Sequence, residues 1–534
     1  MSTPHVRRTA RLLLIAAMAL GATGARAQTR SADVLITGGT VYDGSGRPGR
    51  VADVALRGDR IVFVGDAREA GWRATRTIDA KGLIVAPGFI DPHTHTAGDL
   101  SAAARRGNVP YLMQGVTTVA TNNDGGGATD VGQLLAKWDS AGIGTNALVY
   151  VPQGSVRGKV LGMSDRAPTS AELTQMEQMV DRGMREGAFG MSTGLYYAPG
   201  SYATTEEVIA LAKVAAAHGG IYDTHQRDES SYTIGLIGSV QEVLRIGREA
   251  KIPVHFSHIK ALGTDVWGLA DSVIALITAA QKEGIVVTAD QYPYDASGTS
   301  LGASLLPRWA EAGGRDSLLH RIADPATHER LVAEMRENLR RRGGAASLLI
   351  TSKAQTNLHG KRLDAIAAER GLEPVEAALE IIRTVGDQGV ASFNMNGKDI
   401  ETFMKAPFVT TGSDGSDGHP RKYGTFPRKI RDYVLDKLVL TMARAIQASS
   451  AQTAHDLGIV QRGVLEPGWF ADVIVFDPAT IRDESTYTEP EKLAVGMRWV
   501  FVNGTVAVEQ GRATGAMAGK ALRHADAAAP GHSR

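Results

Sequence analysis

Apolar and polar residues alternate with a period of two near both ends of the chain. The segments DVLITGGTVYDGSG and VADVALRGDRIVFVG lie near the N-terminus, and ADVIVFDP and RWVFVNGTVAVEQG lie near the C-terminus. Such alternation between glycine-rich turns is typical of short antiparallel strands, and the Asn503-Gly504 pair is a strong hairpin signal. The pattern predicts one small β-sandwich built from residues 32–87 and 460–522.

Between these segments, β-branched apolar runs alternate with stretches of helical periodicity. This alternation predicts βα units whose strands form a buried parallel sheet. Eight runs qualify as strands, which fits an α/β fold with a (β/α)8 TIM-like barrel over residues 88–459. The runs cover residues 83–95, 116–124, 147–151, 189–195, 220–225, 253–260, 285–294 and 408–414.

One connection of this barrel is too long for a simple βα unit. The chain between residues 294 and 408 contains helical patterns such as RIADPATHERLVAEMRENLRRR. A connection of this length indicates an insertion, and the pattern predicts a helical lid over about residues 305–346. The arginines at positions 340–342 are interpreted as the solvated end of a helix rather than as a binding patch.

The N-terminus has the pattern of a secretory signal. Basic residues precede an apolar run over residues 12–22, and the small-residue sequence ARA follows it. We predict a signal peptide over residues 1–27, which places the mature protein in the periplasm of a cell with two membranes, or outside a cell with one. An uncleaved anchor is the alternative, and the general and twin-arginine export routes both stay open. Residues 523–534 are predicted to be a disordered tail.

Composition narrows the chemistry further. The formal net charge of +1 gives no long-range field that attracts nucleic acid. After the signal, no run reaches the roughly 20 apolar residues that a membrane span requires. The chain contains no cysteine, which excludes disulfides and thiolate metal ligands. Any metal must therefore be bound through nitrogen and oxygen atoms.

Histidines and an aspartate end several of the predicted strands. His93 and His95 lie two positions apart, so on a strand both side chains point to the same face. His225, His258 and Asp414 end three further strands, and catalytic groups of such barrels lie at the carboxyl ends of strands. Imidazoles and carboxylates together favour a divalent transition metal, namely zinc, manganese, cobalt or iron. His255 is an odd number of positions from His258 and is interpreted as structural.

Several motifs give the chain a specific resemblance. They are GAFGMSTGLYYAPG, YDTHQRDE, FSHIK, DQYPYDASGT and GSDG followed by HPRKYGTFPR. Together with the histidine pattern they resemble the N-acyl-D-amino-acid deacylase, or D-aminoacylase, family of the amidohydrolase superfamily, over nearly the whole mature chain. The resemblance implies hydrolysis of N-acyl-D-amino acids by a metal-bound hydroxide, with Asp414 as metal ligand and proton carrier. It also implies one or two zinc ions, with Mn²⁺ and Co²⁺ as alternatives.

The segment VATNNDGGG departs from the family pattern. Members of the family resemble GVTTVVxGNCG here, with a cysteine ligand, and Asp124 stands in the cysteine position. We predict that Asp124 is a metal ligand, because a carboxylate can bind one ion or bridge two. The alternative is an Asx turn that leads into the three glycines. A phosphate-binding loop is disfavoured, since no Lys-Ser/Thr pair follows.

Substrate recognition is predicted from the resemblance and from charge. A free α-carboxylate requires positive or hydroxyl donors, and the candidates near the metal ligands are Lys260, Arg227, Arg421, Tyr197 and Tyr292. The alternatives are surface salt bridges for the cations and core packing for the tyrosines. The expected substrate is a small N-acyl amino acid or a short peptide, and the oligomeric state stays open.

Two functions other than deacylation of N-acyl-D-amino acids are also compatible with the sequence. The first is a dipeptidase or cyclic-amide hydrolase that uses the same metal machinery on a different substrate. The second is a catalytically inactive barrel that serves in binding, and such relatives tend to lose ligands. Here only the position of Asp124 departs from the family pattern.

Overall fold

The computed structural model describes residues 30–353 and 357–524. The predicted signal peptide and positions 525–534 of the predicted tail lie outside these residues. The first two tail positions are described: Arg523 Nη2 lies 2.7 Å from Asp139 Oδ2, and the backbone N–H of His524 donates to Gly187 O at 3.0 Å. Within the described residues, no helix is both long and apolar enough to cross a membrane.

The described chain contains 21 strands and 18 α-helices. The strands are β1 Arg30–Val41, β2 Arg50–Arg57, β3 Arg60–Gly65, β4 Trp72–Asp79, β5 Ile84–Pro87, β6 Phe89–Asp91, β7 Val116–Thr121, β8 Asn146–Val149, β9 Val151–Pro152, β10 Gly190–Gly194, β11 Ile221–His225, β12 Val254–Phe256, β13 Val287–Gln291, β14 Ala296–Ser300, β15 Leu348–Ile350, β16 Gly389–Phe393, β17 Val409–Thr411, β18 Val473–Phe476, β19 Met497–Val502, β20 Thr505–Glu509 and β21 Arg512–Ala513. The helices are α1 Ala97–Leu100, α2 Val109–Leu112, α3 Val131–Ala141, α4 Gln153–Leu161, α5 Ser170–Arg185, α6 Thr205–Ala217, α7 Gly235–Ala250, α8 Ala270–Lys282, α9 Leu301–Leu305, α10 Arg308–Glu311, α11 Arg315–Ala323, α12 Pro325–Arg341, α13 Leu363–Arg370, α14 Pro374–Thr384, α15 Gly397–Lys405, α16 Arg421–Arg428, α17 Met442–Ala448 and α18 Ala451–Asp456. A π-helix, Lys429–Asp436, continues α16.

Both ends of the chain form one β-layer. Its strands follow the order β21-β20-β19-β18-β5-β1-β2-β3, with β4 beside β1. The Asn503-Gly504 hairpin joins β19 to β20, and both residues have positive φ, as the favoured two-residue turns require. Apolar residues from both ends share a single buried cluster. The sequence predicts a small β-sandwich built from both ends. The structure confirms a small β-domain shared by both ends, and its strands form one nine-stranded sheet in which β5 pairs with β18.

The central segment is a barrel of parallel strands, which confirms the predicted fold class. One sheet joins β6, β7 and β8, and another joins β9, β10, β11, β12, β13 and β17. The strands β8 and β9 are successive parts of one barrel strand, with β7 on one side and β10 on the other. Backbone bonds from Asp414 N to His93 O (2.9 Å) and from His95 N to Gly415 O (3.0 Å) join the last barrel strand to the first.

The run predicted as one strand over residues 83–95 is two strands. The first, β5, pairs with β18 in the terminal layer, and the second, β6, pairs with β7 in the barrel. Gly88 separates them at a close crossing, because a Cβ atom there would lie 2.3 Å from Thr117 Oγ1. An unbroken apolar run cannot reveal such a change of sheet.

The inserted segment is larger than the predicted lid and is not purely helical. It extends from Ala296 to Phe393 and contains the antiparallel sheet β14-β16-β15 in addition to helices α9 to α14. Its apolar side chains form a core of their own, separate from the main barrel core. The strands were missed because β15 has only three residues, while β14 and β16 are rich in Ala, Ser and Gly and carry no clear period-two signal.

Candidate metal centre

Six side chains converge at the carboxyl ends of the barrel strands. His93 and His95 follow β6, Asp124 follows β7, His225 ends β11, His258 follows β12 and Asp414 follows β17. Parallel strands place their carboxyl ends at one mouth of a barrel, so residues far apart in sequence meet there. The structure therefore brings together all six residues that the sequence predicts as metal ligands.

The first four of these residues form one potential metal group. His93 Nε2 lies 3.4 Å from Asp124 Oδ1 and 3.6 Å from Asp414 Oδ1. His95 Nε2 lies 3.0 Å from Asp414 Oδ1 and 3.5 Å from Asp124 Oδ2. One ligand atom from each of the four residues falls within 4.8 Å of the others, a spacing that a single ion can span.

Asp124 also belongs to a second potential metal group, with His225 and His258. Its Oδ2 lies 3.8 Å from His225 Nδ1, and its Oδ1 lies 3.6 Å from His258 Nε2. The two imidazole nitrogens are 2.9 Å apart. Because Asp124 is common to both groups, its carboxylate would be a ligand in either of them.

Three polar atoms of this cluster lack the hydrogen-bond partners that buried groups normally have. His93 is fully buried, and both its ring nitrogens, like Asp124 Oδ1, have no hydrogen-bond partner. Buried polar atoms are otherwise nearly always bonded, so an unpaired set at one point indicates a missing ligand. The donor types, four imidazoles and two carboxylates, are those that suit zinc and its neighbours.

The electrostatics of the cluster favour a cation. Burial opposes ionisation of His95, but Asp124 and Asp414 outweigh it and raise the pKa of His95 to about 9. Burial and Lys260 likewise lower the pKa of His258, but Glu229 and the two aspartates raise it overall to about 10. Burial would raise the pKa of Asp124, yet the neighbouring histidines hold it well below its usual range. The carboxylates thus stay ionised and attract positive charge at this point.

Three ligand residues adopt a backbone conformation that side chains rarely take. The φ angles are 56° for Asp124, 37° for His258 and 48° for Asp414. The left-handed region costs free energy for a residue with a Cβ atom, of the order of 1–3 kcal/mol. Such strain clusters at functional sites, where the surrounding structure holds a side chain in one direction.

The glycines after Asp124 allow its loop to pack against β10. A Cβ atom at Gly125 would lie 2.8 Å from Gly194 N, and Gly127 has a φ of 139° and lies against Asn122. Asn123 ties the loop to neighbouring segments, because its side-chain amide donates to Asp223 Oδ2 at 3.0 Å and to Pro92 O at 3.1 Å. No backbone N–H of the described residues bonds to the carboxylate of Asp124, so the loop is not the Asx turn of the alternative interpretation.

Four of the five predicted substrate residues line one cavity of about 720 Å³ beside the ligands. Arg421 is buried, its Nη1 lies 2.7 Å from Asp414 Oδ2, and its guanidinium lies 4.9 Å from the ring centre of Tyr292. The hydroxyl of Tyr292 has no hydrogen-bond partner. Tyr197 places its ring 4.9 Å from that of His225, and Lys260 Nζ lies 2.7 Å from Glu229 Oε1 and 2.6 Å from His258 Nδ1.

Arg227 does not line this cavity. Its guanidinium pairs with Glu242 at 2.9 Å and donates to Ser201 O and Ala203 O, which fastens the loop before α6 to α7. Its position two residues after His225 explains the difference. The chain leaves the strand at His225, so proximity in sequence no longer places a side chain at the mouth of the barrel.

Glu229 and Arg342 line the cavity but were not among the predicted site residues. Glu229 lies 3.2 Å from His258 Nδ1 and is held ionised by Lys260, whose charge outweighs burial and lowers the pKa of Glu229 well below its usual value. Arg342 is only 2% exposed and lines the cavity, so it is not part of a solvated helix end. Helical spacing in the sequence could have predicted the burial of Arg342. The residue continues the buried face that α12 forms with Leu331, Met335 and Leu339.

His255 lies outside both ligand groups, in line with its structural interpretation. Its Nε2 lies 3.0 Å from Asp290 Oδ2 and its Nδ1 lies 2.8 Å from Thr288 Oγ1. The same carboxylate oxygen of Asp290 lies 3.9 Å from His93 Nδ1. This buried network thus lies next to His93 without a hydrogen bond to its ring.

Comparisons with known proteins agree with this geometry. The sequence profile described as "Amidohydrolase family" matches residues 76–508. D-aminoacylase from Alcaligenes xylosoxydans xylosoxydans is 34% identical over 517 residues, which cover 92% of this chain and 97% of the relative. N-acyl-D-aspartate deacylase from the same organism is 32% identical over 513 residues, which cover 91% of this chain and 93% of the relative. The crystal structure of N-acyl-D-glutamate deacylase from Bordetella bronchiseptica, complexed with zinc and a phosphonate inhibitor, superposes with a TM-score of 0.78 at 31% identity and covers 93% of this chain and 100% of that chain.

Proposed function

The chain belongs to the amidohydrolase family, and we propose from this premise that it removes the acyl group from N-acyl-D-amino acids. The reaction hydrolyses one amide bond and yields a carboxylate and a free D-amino acid. The similarity to D-aminoacylase and N-acyl-D-aspartate deacylase supports this substrate class. The observation that carries the proposal is the convergence of six metal-binding side chains beside an arginine, a lysine and an unpaired tyrosine hydroxyl.

The enzyme depends on a metal, and the residues of the centre fit zinc. His93, His95, Asp124 and Asp414 would hold one ion, and Asp124, His225 and His258 would hold a second. Manganese and cobalt are the alternatives, since the site offers only nitrogen and oxygen donors. When bound, such an ion supplies Lewis acidity that acidifies water and polarises an amide carbonyl.

Asp414 is the residue that is placed to move a proton. Burial would raise its pKa, but Arg421 and the histidines outweigh burial and keep the carboxylate ionised. Arg421 contacts Oδ2, while Oδ1 faces His95 and the open centre. An ionised carboxylate in this position accepts a proton from water and gives it to the departing amine.

The α-carboxylate of the substrate is recognised on one wall of the cavity. Arg421 supplies a guanidinium, and the buried hydroxyl of Tyr292 is an unpaired donor beside it. A bound carboxylate would satisfy both groups. Lys260 adds positive charge, although Glu229 and His258 already occupy its ammonium. Lys260 therefore also positions the ligand His258.

The stereochemical assay tests the proposal directly. Purified zinc-loaded protein is incubated with paired N-acetyl-D and N-acetyl-L amino acids, and the free amine is measured. We expect release from the D isomers, and preferential release from the L isomers contradicts the proposal. D-dipeptides and cyclic amides in the same assay separate the dipeptidase and cyclic-amide alternatives. Binding without any turnover supports the inactive barrel.

The ligand role of Asp124 has its own test. Asp124→Ala removes the carboxylate that both groups share, so we expect a lower metal content in elemental analysis and a large loss of turnover. Thr129→Ala, a buried substitution outside both ligand groups, is the matched control. Unchanged metal content and turnover in Asp124→Ala contradict the role.

We also propose that the mature protein is exported, on the signal pattern of residues 1–27. The absence of cysteine suits an oxidising compartment. Cell fractionation and N-terminal sequencing of the mature protein test this, and a cytoplasmic protein that keeps its first residues contradicts it.

A further inference from the structure

Arg342 is a buried cation without an anionic partner in the described part of the chain. It follows α12 in the insertion and is 2% exposed. Its Nε donates to Ser304 O at 3.2 Å and its Nη2 donates to the hydroxyl of Tyr196 at 3.2 Å, but Nη1 has no hydrogen-bond partner. Among the described residues, no carboxylate lies within salt-bridge distance of the guanidinium. A buried charge in this state is costly.

The unpaired atom of Arg342 belongs to a small polar group that lines the cavity. The ring of Tyr232 lies 5.8 Å from the guanidinium carbon, and the Tyr232 hydroxyl is also buried without a partner. Tyr196, Tyr232 and Arg342 are all cavity-lining residues. Two unpaired donors at one place in a cavity indicate a group on the ligand that accepts hydrogen bonds and carries negative charge.

This polar group and Arg421 have different neighbours in the cavity. The ring of Tyr196 packs on the ligand His225, with 5.8 Å between ring centres, and its hydroxyl contacts Arg342. Arg342 is therefore one phenol ring away from His225. Arg421 contacts Asp414 and Tyr292 instead. Arg342 and Arg421 thus line the same cavity through different neighbours, Tyr196 for the first and Asp414 and Tyr292 for the second.

A purely structural role does not account for this arrangement. Ser304 O uses only Nε, and a neutral side chain could fill the same space. Neighbouring arginines show the usual solution, because Arg340 pairs with Asp265 at 2.7 Å and Arg341 donates to Asn338 at 2.8 Å. Arg342 differs from Arg340 and Arg341 because its side chain is buried, has no carboxylate partner among the described residues and lines the cavity.

We propose that Arg342, with Tyr232, binds a second carboxylate of the substrate, so that the preferred substrates are N-acyl-D-amino acids with two carboxylates. This inference rests on the proposed function for the first carboxylate and for the scissile amide. The second carboxylate belongs to either the amino-acid side chain or a dicarboxylic acyl group. Both sources present the same chemistry to a guanidinium, which binds carboxylates through two parallel hydrogen bonds.

Paired substrates test the inference and separate its two sources. N-acetyl-D-glutamate is compared with N-acetyl-D-glutamine, and N-succinyl-D-alanine is compared with N-butyryl-D-alanine. In one of the two pairs we expect the charged member to have the higher kcat/KM, by at least about 10-fold, the usual effect of a charge-assisted hydrogen bond. No preference in either pair contradicts the inference.

Variants at the end of α12 assign the preference to one residue. In Arg342→Met we expect the ratio of charged to neutral kcat/KM to fall by about 10- to 100-fold, mainly through KM of the charged member. Arg340→Met is the matched control, since Arg340 is exposed and pairs outside the cavity, and it should keep the ratio. A preference that survives Arg342→Met overturns the inference.

Two further measurements cover the cases in which Arg342→Met does not fold or the protein is inactive. If Arg342→Met does not fold, Arg342→Lys keeps the charge but loses the planar fork, and the ratio should still fall. If the protein hydrolyses no N-acyl-D-amino acid, the proposed function fails, and calorimetry of glutarate against butyrate with the zinc-loaded protein decides the role of Arg342. Tighter binding of glutarate that is lost in Arg342→Lys supports it, and equal binding refutes it.

Discussion

The two ends of the cavity are built differently. At the metal end, most charged groups face an opposite charge, as Asp414 faces Arg421 and Glu229 faces Lys260. At the insertion end, the described residues that Arg342 faces offer it hydroxyls and a carbonyl but no carboxylate. The metal end is therefore electrostatically organised before substrate arrives, whereas the insertion end leaves a positive charge to be satisfied.

The two ends also belong to different hydrophobic cores. The metal ligands lie on strand ends of the barrel, while Arg342 lies on a segment with a separate core around α9, α12 and α14. A change in the insertion can therefore alter recognition without moving the ligands. Under the proposal for Arg342, the barrel carries the chemistry and the insertion carries the selectivity, a division that loop variation on a barrel permits.

Removal of the metal should have the largest effect, because it abolishes the chemistry of the metal end and leaves the insertion end unchanged. After treatment with a chelator we expect hydrolysis to fall to the background rate, because none of the described side chains of the cavity replaces the Lewis acid. Zinc should restore turnover, and the metal-free protein should melt at a somewhat lower temperature, since metal binds the folded state only. Turnover and elemental analysis before and after dialysis measure this. Full activity without metal would show that the chemistry at the metal end of the cavity does not depend on the metal.

Asp414→Asn should give the next largest effect. The amide cannot carry the proton, so kcat should fall by about 10²- to 10⁴-fold. Selectivity between charged and neutral substrates should change little, because the insertion end is untouched. Steady-state kinetics on both substrates measure the two quantities, and elemental analysis shows whether metal is still bound. An unchanged kcat with full metal content removes Asp414 from the proposed chemistry.

Tyr292→Phe should produce a moderate loss that appears mainly in KM. The hydroxyl is buried and unpaired, so its loss should not destabilise the protein, while substrate binding weakens by about 10-fold in kcat/KM. Tyr294→Phe is the matched control on the same loop, because Tyr294 does not line the cavity. Equal kinetics for both variants would show that Tyr292 does not bind the α-carboxylate.

Arg227→Met should affect stability and not catalysis. Arg227 pairs with Glu242 away from the cavity, and loss of one partner of a largely buried ion pair costs about 3 kcal/mol. We expect a lower melting temperature in scanning calorimetry and kinetic constants like those of the parent. A specific rise in KM would place Arg227 in substrate recognition, as the sequence first suggested.

The sequence predicted the positions of side chains best where they lie at a strand end. His93, His95, His225, His258 and Asp414 could be found because period-two spacing and apolar runs mark the ends of strands, and parallel strands end at one mouth. Asp124 could be found because the segment VATNNDGGG aligns with a family motif. Arg227 was misplaced because it lies just beyond a strand, where spacing no longer fixes direction.

Local periodicity and the absence of cysteine were sufficient to predict the barrel, a small β-domain shared by both ends and the donor types of the metal centre. Which of three consecutive arginines enters the cavity depends on packing between segments distant in sequence. Successive residues of a helix differ in direction by about 100°, so Arg340 and Arg342 face different surroundings. The packing of α12 on α9, through Asn338 and Arg342, selects the inward one.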